Sequence, residues 1–356
     1  MVMTVPVIYP NIEQGIEMKK SLVIALTLAL QAVASIAMAQ QKVLNLYSSR
    51  HYQTDEALYA NFEKSTGIKI NRIDGPEDPL IERMKIEGDK SPADVLVTVD
   101  MGRLLKAQQQ GLFQPVKSAL LEEKIPRELR AADGSWFGFS IRARPILYAN
   151  ARVSPAQLPD YESLADPKWK GKICVRSGMH PYNLSLMSSI IAANGVEKAE
   201  AWAAGIVANL ARKPQGGDTD QITAVAAGEC DIALANTYYF ARLMKSDKPA
   251  DQAIVEKIGV NFPNQSGRGA HINISGAGVA KYAPNREAAI KFLEYLASPE
   301  AQNYFANGNN EYPVTGVVDN PVLKRLGVFK RDTLSMELVG KNYAEAARIF
   351  DRVGWK

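Results

Sequence analysis

Short apolar strands alternate with helices over residues 43–111, and the alternation resumes over 171–235; no other feature constrains the fold of this chain as much. Residues 43–47 read as a strand. A polar loop and a helix follow, the helix opening near Thr54 and Asp55 with acidic residues in its first turn and stopping at Gly67. Residues 68–73 alternate as the next strand, 80–87 form a short helix, 94–99 a buried strand, and 101–110 a helix closed by Gly111. After Pro145 come a strand at 171–177, helices at 183–194 and 199–211, a helix capped by Asp218 and ended by Gly228, and a strand at 230–235. This spacing predicts parallel sheets with both faces covered by helices. Two extended apolar stretches, 137–148 and 272–279, flank the second block and read as crossings between two lobes. The expected architecture is α/β with two lobes: 40–140 plus 275–356, and 141–274. An interlobe cleft separates them, and helices at 286–296, 299–306 and 343–353 close the first lobe.

Residues 1–39 stand apart from this body. Met18-Lys19-Lys20 opens a charged segment, 21–36 is apolar, and Ala37-Met38-Ala39 is a small-x-small cleavage pattern, so 1–39 reads as an upstream extension and a cleaved signal peptide. The rest of the chain has no apolar run long enough to cross a bilayer. The expectation is a soluble protein exported to the periplasm. Export bears on the two cysteines. Cys174 and Cys230 lie in apparent strands, and in an oxidising compartment one structural disulfide is expected, with two buried free thiols as the alternative. The 42 Lys/Arg against 38 Asp/Glu leave a net +4, and that excess sits in the tail from Val322 onward. So small and interspersed a charge argues against nucleic acid as a partner.

In open α/β sheets ligands sit at the carboxyl ends of strands, and here those loops carry tyrosines. Tyr52 follows the first strand, Tyr182 follows the strand containing Cys174, and Tyr238 and Tyr239 follow the strand starting at Cys230. A phenol has a pKa near 10, so ionising several together at neutral pH requires a highly charged metal to displace their protons. Oxygen donors select a hard cation, and these loops offer only Asp55 as a carboxylate, which disfavours Mg²⁺ and Ca²⁺. Fe(3+) fits. Four phenolates around it give a net −1 site that Arg50, Arg142, Arg144 and Arg242 could balance.

These loops, with Tyr47-Ser-Ser-Arg-His-Tyr52, Asp133-Gly-Ser-Trp-Phe-Gly138, Ser140-Ile-Arg-Ala-Arg144, Gly228-Glu-Cys-Asp231 and Asn236-Thr-Tyr-Tyr239, resemble the periplasmic ferric-ion-binding proteins of ATP-driven iron importers. The resemblance spans the mature chain. It implies a type II periplasmic-binding-protein fold holding Fe(3+) in the interlobe cleft. It also implies Tyr52, Tyr182, Tyr238 and Tyr239 as iron ligands, with His51 at a position some members use and others leave free. Arg142 matches an arginine lining the cleft, where it pairs with an anion or with the tyrosinates; a synergistic anion such as carbonate completes the shell in some members. The implied partner is an inner-membrane ABC permease, met by a monomer.

An enzyme is not expected. The chain has no Gly-x-Ser-x-Gly elbow, no His-Glu-x-x-His and no P-loop, and three histidines in all. A same-fold binding protein for a small organic or anionic solute, such as a polyamine or phosphonate, is the alternative; it would call for aromatic stacking with carboxylates or an anion nest. His180, His271, Glu77 and Asp78 read as structural or solvated groups near the cleft or hinge.

Overall fold

The computed structural model describes residues 3–4, 42–50, 52–316 and 318–356. The leader read at 1–39 lies outside the described residues apart from Met3 and Thr4, and so does His51.

The strands are β1 (Val43–Ser48), β2 (Lys69–Asp74), β3 (Val95–Thr98), β4 (Phe137–Ala143), β5 (Ile146–Ala149), β6 (Ile173–Cys174), β7 (Ile232–Leu234), β8 (Ile258–Asn261), β9 (Ile272–Val279) and β10 (Tyr312–Pro313). Interleaved along the chain are α1 (Asp55–Thr66), α2 (Glu77–Glu87), α3 (Met101–Gln109), α4 (Ala119–Lys124), α5 (Pro181–Asn194), α6 (Val196–Ala208), α7 (Asp218–Ala227), α8 (Thr237–Lys245), α9 (Pro249–Lys257), α10 (Arg286–Leu296), α11 (Pro299–Asn309), α12 (Pro321–Leu326), α13 (Met336–Lys341) and α14 (Tyr343–Val353). Gly67 and Gly228 end α1 and α7 in the left-handed region, at φ 70° and 87°. A side chain there would be strained, so these glycines stop their helices as their positions predict.

Two sheets organise the molecule: a six-stranded one ordered β10-β4-β9-β3-β1-β2 and a four-stranded one ordered β6-β7-β5-β8. Both are mixed, which corrects the expectation of parallel sheets. β1 pairs parallel with β2 and β3, but β9 runs antiparallel to both β3 and β4. The physical reason lies in the crossings. β9 re-enters the first sheet from the second, so its direction is set by where the chain returns and not by a strand–helix–strand unit. The stretch 137–148 likewise divides at Arg144-Pro145, with β4 in the large sheet and β5 in the small one.

The large sheet's core gathers Leu44, Leu46, Val95, Phe137 and Ile274 with Phe292 and Phe305 from α10 and α11. A second core packs Ile146, Ile173, Met187 and Trp202 around the small sheet. Helix α14 departs from the expectation that it closes the first lobe: its apolar stripe, Ala346, Ile349 and Phe350, with Trp355 beyond it, packs into this second core. Cys174 and Cys230 are joined as a disulfide between the ends of neighbouring strands β6 and β7. No helix among the described residues is long and apolar enough to cross a membrane.

Candidate metal centre

Each tyrosine is carried by a strand-to-helix junction whose geometry is fixed by polar side chains. After β1, the guanidinium of Arg50 grips Asp55 at the start of α1, with Nε 2.6 Å from Oδ2 and Nη2 3.1 Å from Oδ1. Arg50 also lies 4.8 Å from the centre of the Tyr52 ring. After β6, His180 caps α5: its Nδ1 accepts the Tyr182 backbone N–H at 3.3 Å, and Pro181 needs no such partner. After β7, Asn236 precedes α8, which puts Tyr238 and Tyr239 in the first helical turn.

Arg144 ties the second and third junctions together. Its Nη1 donates to Asp218 Oδ2 at 3.0 Å and Asn236 Oδ1 at 2.9 Å, and its Nη2 donates to Asn183 Oδ1 at 2.7 Å. The Asp218 carboxylate also accepts the Asn236 backbone N–H at 2.7 Å and pairs with Arg176. Asp218 therefore does not cap α7, where Gly217 holds the cap position. It instead anchors both tyrosine-bearing turns to one buried guanidinium.

The result is a cluster of four phenols. Tyr182 and Tyr238 share a hydrogen bond between their hydroxyls at 2.8 Å. Tyr52 meets Tyr238 edge-on at a centroid distance of 6.1 Å, and Tyr239 lies 4.3 Å from Tyr238 and 6.5 Å from Tyr182. Arg242, one turn along α8, spreads its guanidinium 5.1–5.6 Å from the rings of Tyr52, Tyr238 and Tyr239. Tyr52 and Tyr182 line a cleft of about 680 Å³ together with Gln53, Arg72, Asp100 and His180.

Burial pushes the phenols of Tyr52, Tyr182 and Tyr238 well above 10. The neighbouring Glu311 adds to this at Tyr52, and the other phenols add to it at Tyr182 and Tyr238, against the pull of Arg142. All three are therefore neutral near pH 7, and a strong Lewis acid is needed to ionise them. His180 is held neutral, pushed down to about 3 by burial and by Arg176 and Arg144. Among the described residues no three His, Cys, Asp or Glu side chains converge as a metal-binding group, although Asp55, Glu56, Asp74, Glu77 and Asp100 also line the cleft.

The remaining candidates have other partners. His271 is buried, with Nε2 2.8 Å from Ser185 Oγ. Glu77 opens α2 at the cleft, its carboxyl raised by burial and by Asp100, while Asp78 pairs with Arg103 and Lys106. Arg142 donates to Ser275 Oγ at 2.8 Å and to the Ile274 carbonyl at 3.1 Å. Sequence reasoning missed Asp218 and Glu311 as parts of this centre. Glu311 accepts from Arg50 and Ser140, at 3.1 and 3.0 Å.

Residues 90–328 match the family described as bacterial extracellular solute-binding protein. Iron uptake protein A1 of Synechocystis is 54% identical over 318 residues, 89% of this chain and 88% of the relative. The chain belongs to the bacterial extracellular solute-binding proteins. More distantly, this solute-binding protein is 28% identical to the major ferric iron-binding protein of Neisseria meningitidis over 345 residues, 95% of this chain and 100% of the relative. Among solved structures, the Trichodesmium IdiA/FutA protein in complex with iron and citrate ligands aligns with a TM-score of 0.85 at 57% identity, covering 88% of this chain and 100% of that one. The ferric binding protein from Campylobacter jejuni aligns at 0.82 and 42% identity, covering 87% and 99%. The resemblance to periplasmic ferric-ion-binding proteins holds, and so does the two-lobe α/β class.

Proposed function

We propose that this solute-binding protein captures Fe(III) in the periplasm through tyrosinates of Tyr52, Tyr182, Tyr238 and Tyr239 and delivers it, as a monomer, to an ABC-type importer. The observation that carries the reading is the convergence of four phenols from three separate junctions, two of them sharing a proton at 2.8 Å. His51 is the fifth candidate donor. Fe(III) bound by four phenolates carries one net negative charge, which Arg242 over three of the rings and Arg142 behind them can offset. That balance leaves a synergistic anion such as carbonate optional.

The chemistry is capture without bond-making in a substrate: the metal displaces phenolic protons, and lobe closure is favoured because both lobes supply donors. We place the lobe division within the crossings, near Arg144 and His271, and assign α14 to the second lobe. Export of the chain through its leader follows from the same reading. Adding ferric citrate to chelator-stripped protein should develop a visible phenolate-to-iron charge-transfer band. The double change Tyr238→Phe and Tyr239→Phe should weaken and shift it. No band in the wild type, or a band unaltered in the double variant, overturns the proposal.

A further inference from the structure

The left-handed Asn310 (φ 56°) ends α11 and turns the chain inward, so that Glu311 enters the core before β10. Its carboxylate is fully buried. Oε2 accepts from Arg50 Nη2 at 3.1 Å and from Ser140 Oγ at 3.0 Å, while Oε1 lies 3.6 Å from Arg142 Nη1 and has no hydrogen-bond partner among the described residues. With Asp55 on the far side of Arg50, the result is a buried cluster of two cations and two anions beside Tyr52, with Arg50 and Asp55 at the cleft wall. Every side chain in it is at most 4% exposed. Burying four charges is expensive even when they are paired, and such a cluster is weak evidence for stability alone.

We propose that Glu311 is an internal counter-ion that limits how tightly the phenol cluster holds its metal: it cancels positive charge that Arg50 and Arg142 would otherwise present to the site. The inference rests on the proposed phenolate-bound Fe(III). Loading that site brings in three positive charges and expels four protons, so the site becomes more negative by one. With Glu311 in place the arginine cluster beside Tyr52 is electrically balanced. Without it the cluster is +1 and favours the negative complex. A unit charge at about 10 Å under an effective dielectric of about 20 shifts an equilibrium on the order of tenfold. Glu311 thus trades retention for release, which suits a carrier that must hand its cargo on.

The test uses the full chain. Wild type and Glu311→Gln are stripped, loaded with ferric citrate, and titrated with a competing chelator at one pH while the charge-transfer band is followed. Glu311→Gln should hold iron on the order of tenfold more tightly. Its iron-free form should melt at lower temperature than wild type, so iron should raise its melting temperature by more. Glu311→Asp keeps the charge and should retain iron like wild type. Equal or weaker retention in a folded Glu311→Gln, or the same tightening in Glu311→Asp, overturns the counter-ion. Should Glu311→Gln fail to fold, the double change Glu311→Gln with Arg142→Gln removes one anion and one cation of the cluster and should retain iron like wild type; retention tenfold tighter or weaker than wild type in that variant overturns the proposal. A wild type that never loads iron refutes the function itself, whereas a wild type that loads normally confines any failure to Glu311.

Discussion

Iron uptake by this protein should release protons, and their number tests the centre most sharply. Burial holds the phenols of Tyr52, Tyr182 and Tyr238 above their ordinary value of 10, so each carries its proton in the empty site at pH 7. The hydroxyl contact between Tyr182 and Tyr238 at 2.8 Å itself needs a proton between the two oxygens. A phenol can ligate only after losing that proton, so each ligating phenol adds one proton to the release and about 1.4 kcal/mol per pH unit to the binding free energy. Four such ligands make the affinity fall about 10⁴-fold, or about 5.5 kcal/mol, for each unit the pH drops. The sign is fixed because protons compete with iron for the same oxygens. The dependence has no plateau near neutrality from Tyr52, Tyr182 and Tyr238, because burial raises all three above pH 10 in the empty site. The assay is competition against a chelator of known protonation between pH 6 and pH 8, cross-checked by calorimetry in buffers of different ionisation enthalpy. After correction for the chelator, the slope of log K against pH counts the phenolates. Tyr238→Phe and Tyr182→Phe should each lower it by one, while Tyr59→Phe, which removes a buried phenol outside the cluster, should leave it unchanged. A wild-type slope of one or less, or a slope indifferent to Tyr238→Phe, would falsify tyrosinate ligation.

Three further outcomes follow from the same packing. Asp218→Asn strips the buried Arg144 of its counter-ion and loosens both tyrosine-bearing turns, so it should cost about 3–5 kcal/mol in urea unfolding and also weaken iron retention. Reducing the Cys174–Cys230 bond, which closes a loop with a sequence separation of 56, should cost about 4 kcal/mol by the loop-entropy estimate, seen as a lower denaturation midpoint in reductant. His271 is pushed down to about 3 by burial, so between about pH 6.5 and pH 3 the unfolded chain binds a proton the folded one does not. Stability is then full above pH 6.5 and falls by about 1.4 kcal/mol per unit as the pH drops through that window, a slope that His271→Gln should reduce in melting curves.

How far the sequence carried this picture depends on how local each signal is. Helix ends such as Gly67 and Gly228 are legible because a single residue's conformational freedom decides them, and the structure puts both in the left-handed region. The three tyrosine junctions are legible for a related reason: a strand followed by a helix directs its connecting loop to the sheet's carboxyl end, wherever the rest of the chain goes. Pairings between distant charges leave no such trace. Asp218 stands 74 residues from Arg144, and Glu311 stands 261 from Arg50, with no periodicity joining either pair. At the start of a helix Asp218 reads as a cap, because capping is the local use of an aspartate there. Only the arrival of Arg144 from the first crossing shows that its charge is spent on holding two turns. The direction of β9 and the attachment of α14 to the second core were hidden in the same way, since each is decided by where a returning chain finds space. What sequence exposed was therefore the cluster of cleft-side phenols, and what it concealed was the buried charge network behind them. That division is physical: side chains that face a cleft sit on the loops that local sequence marks, whereas buried charges must be paired, and their partners come from across the fold.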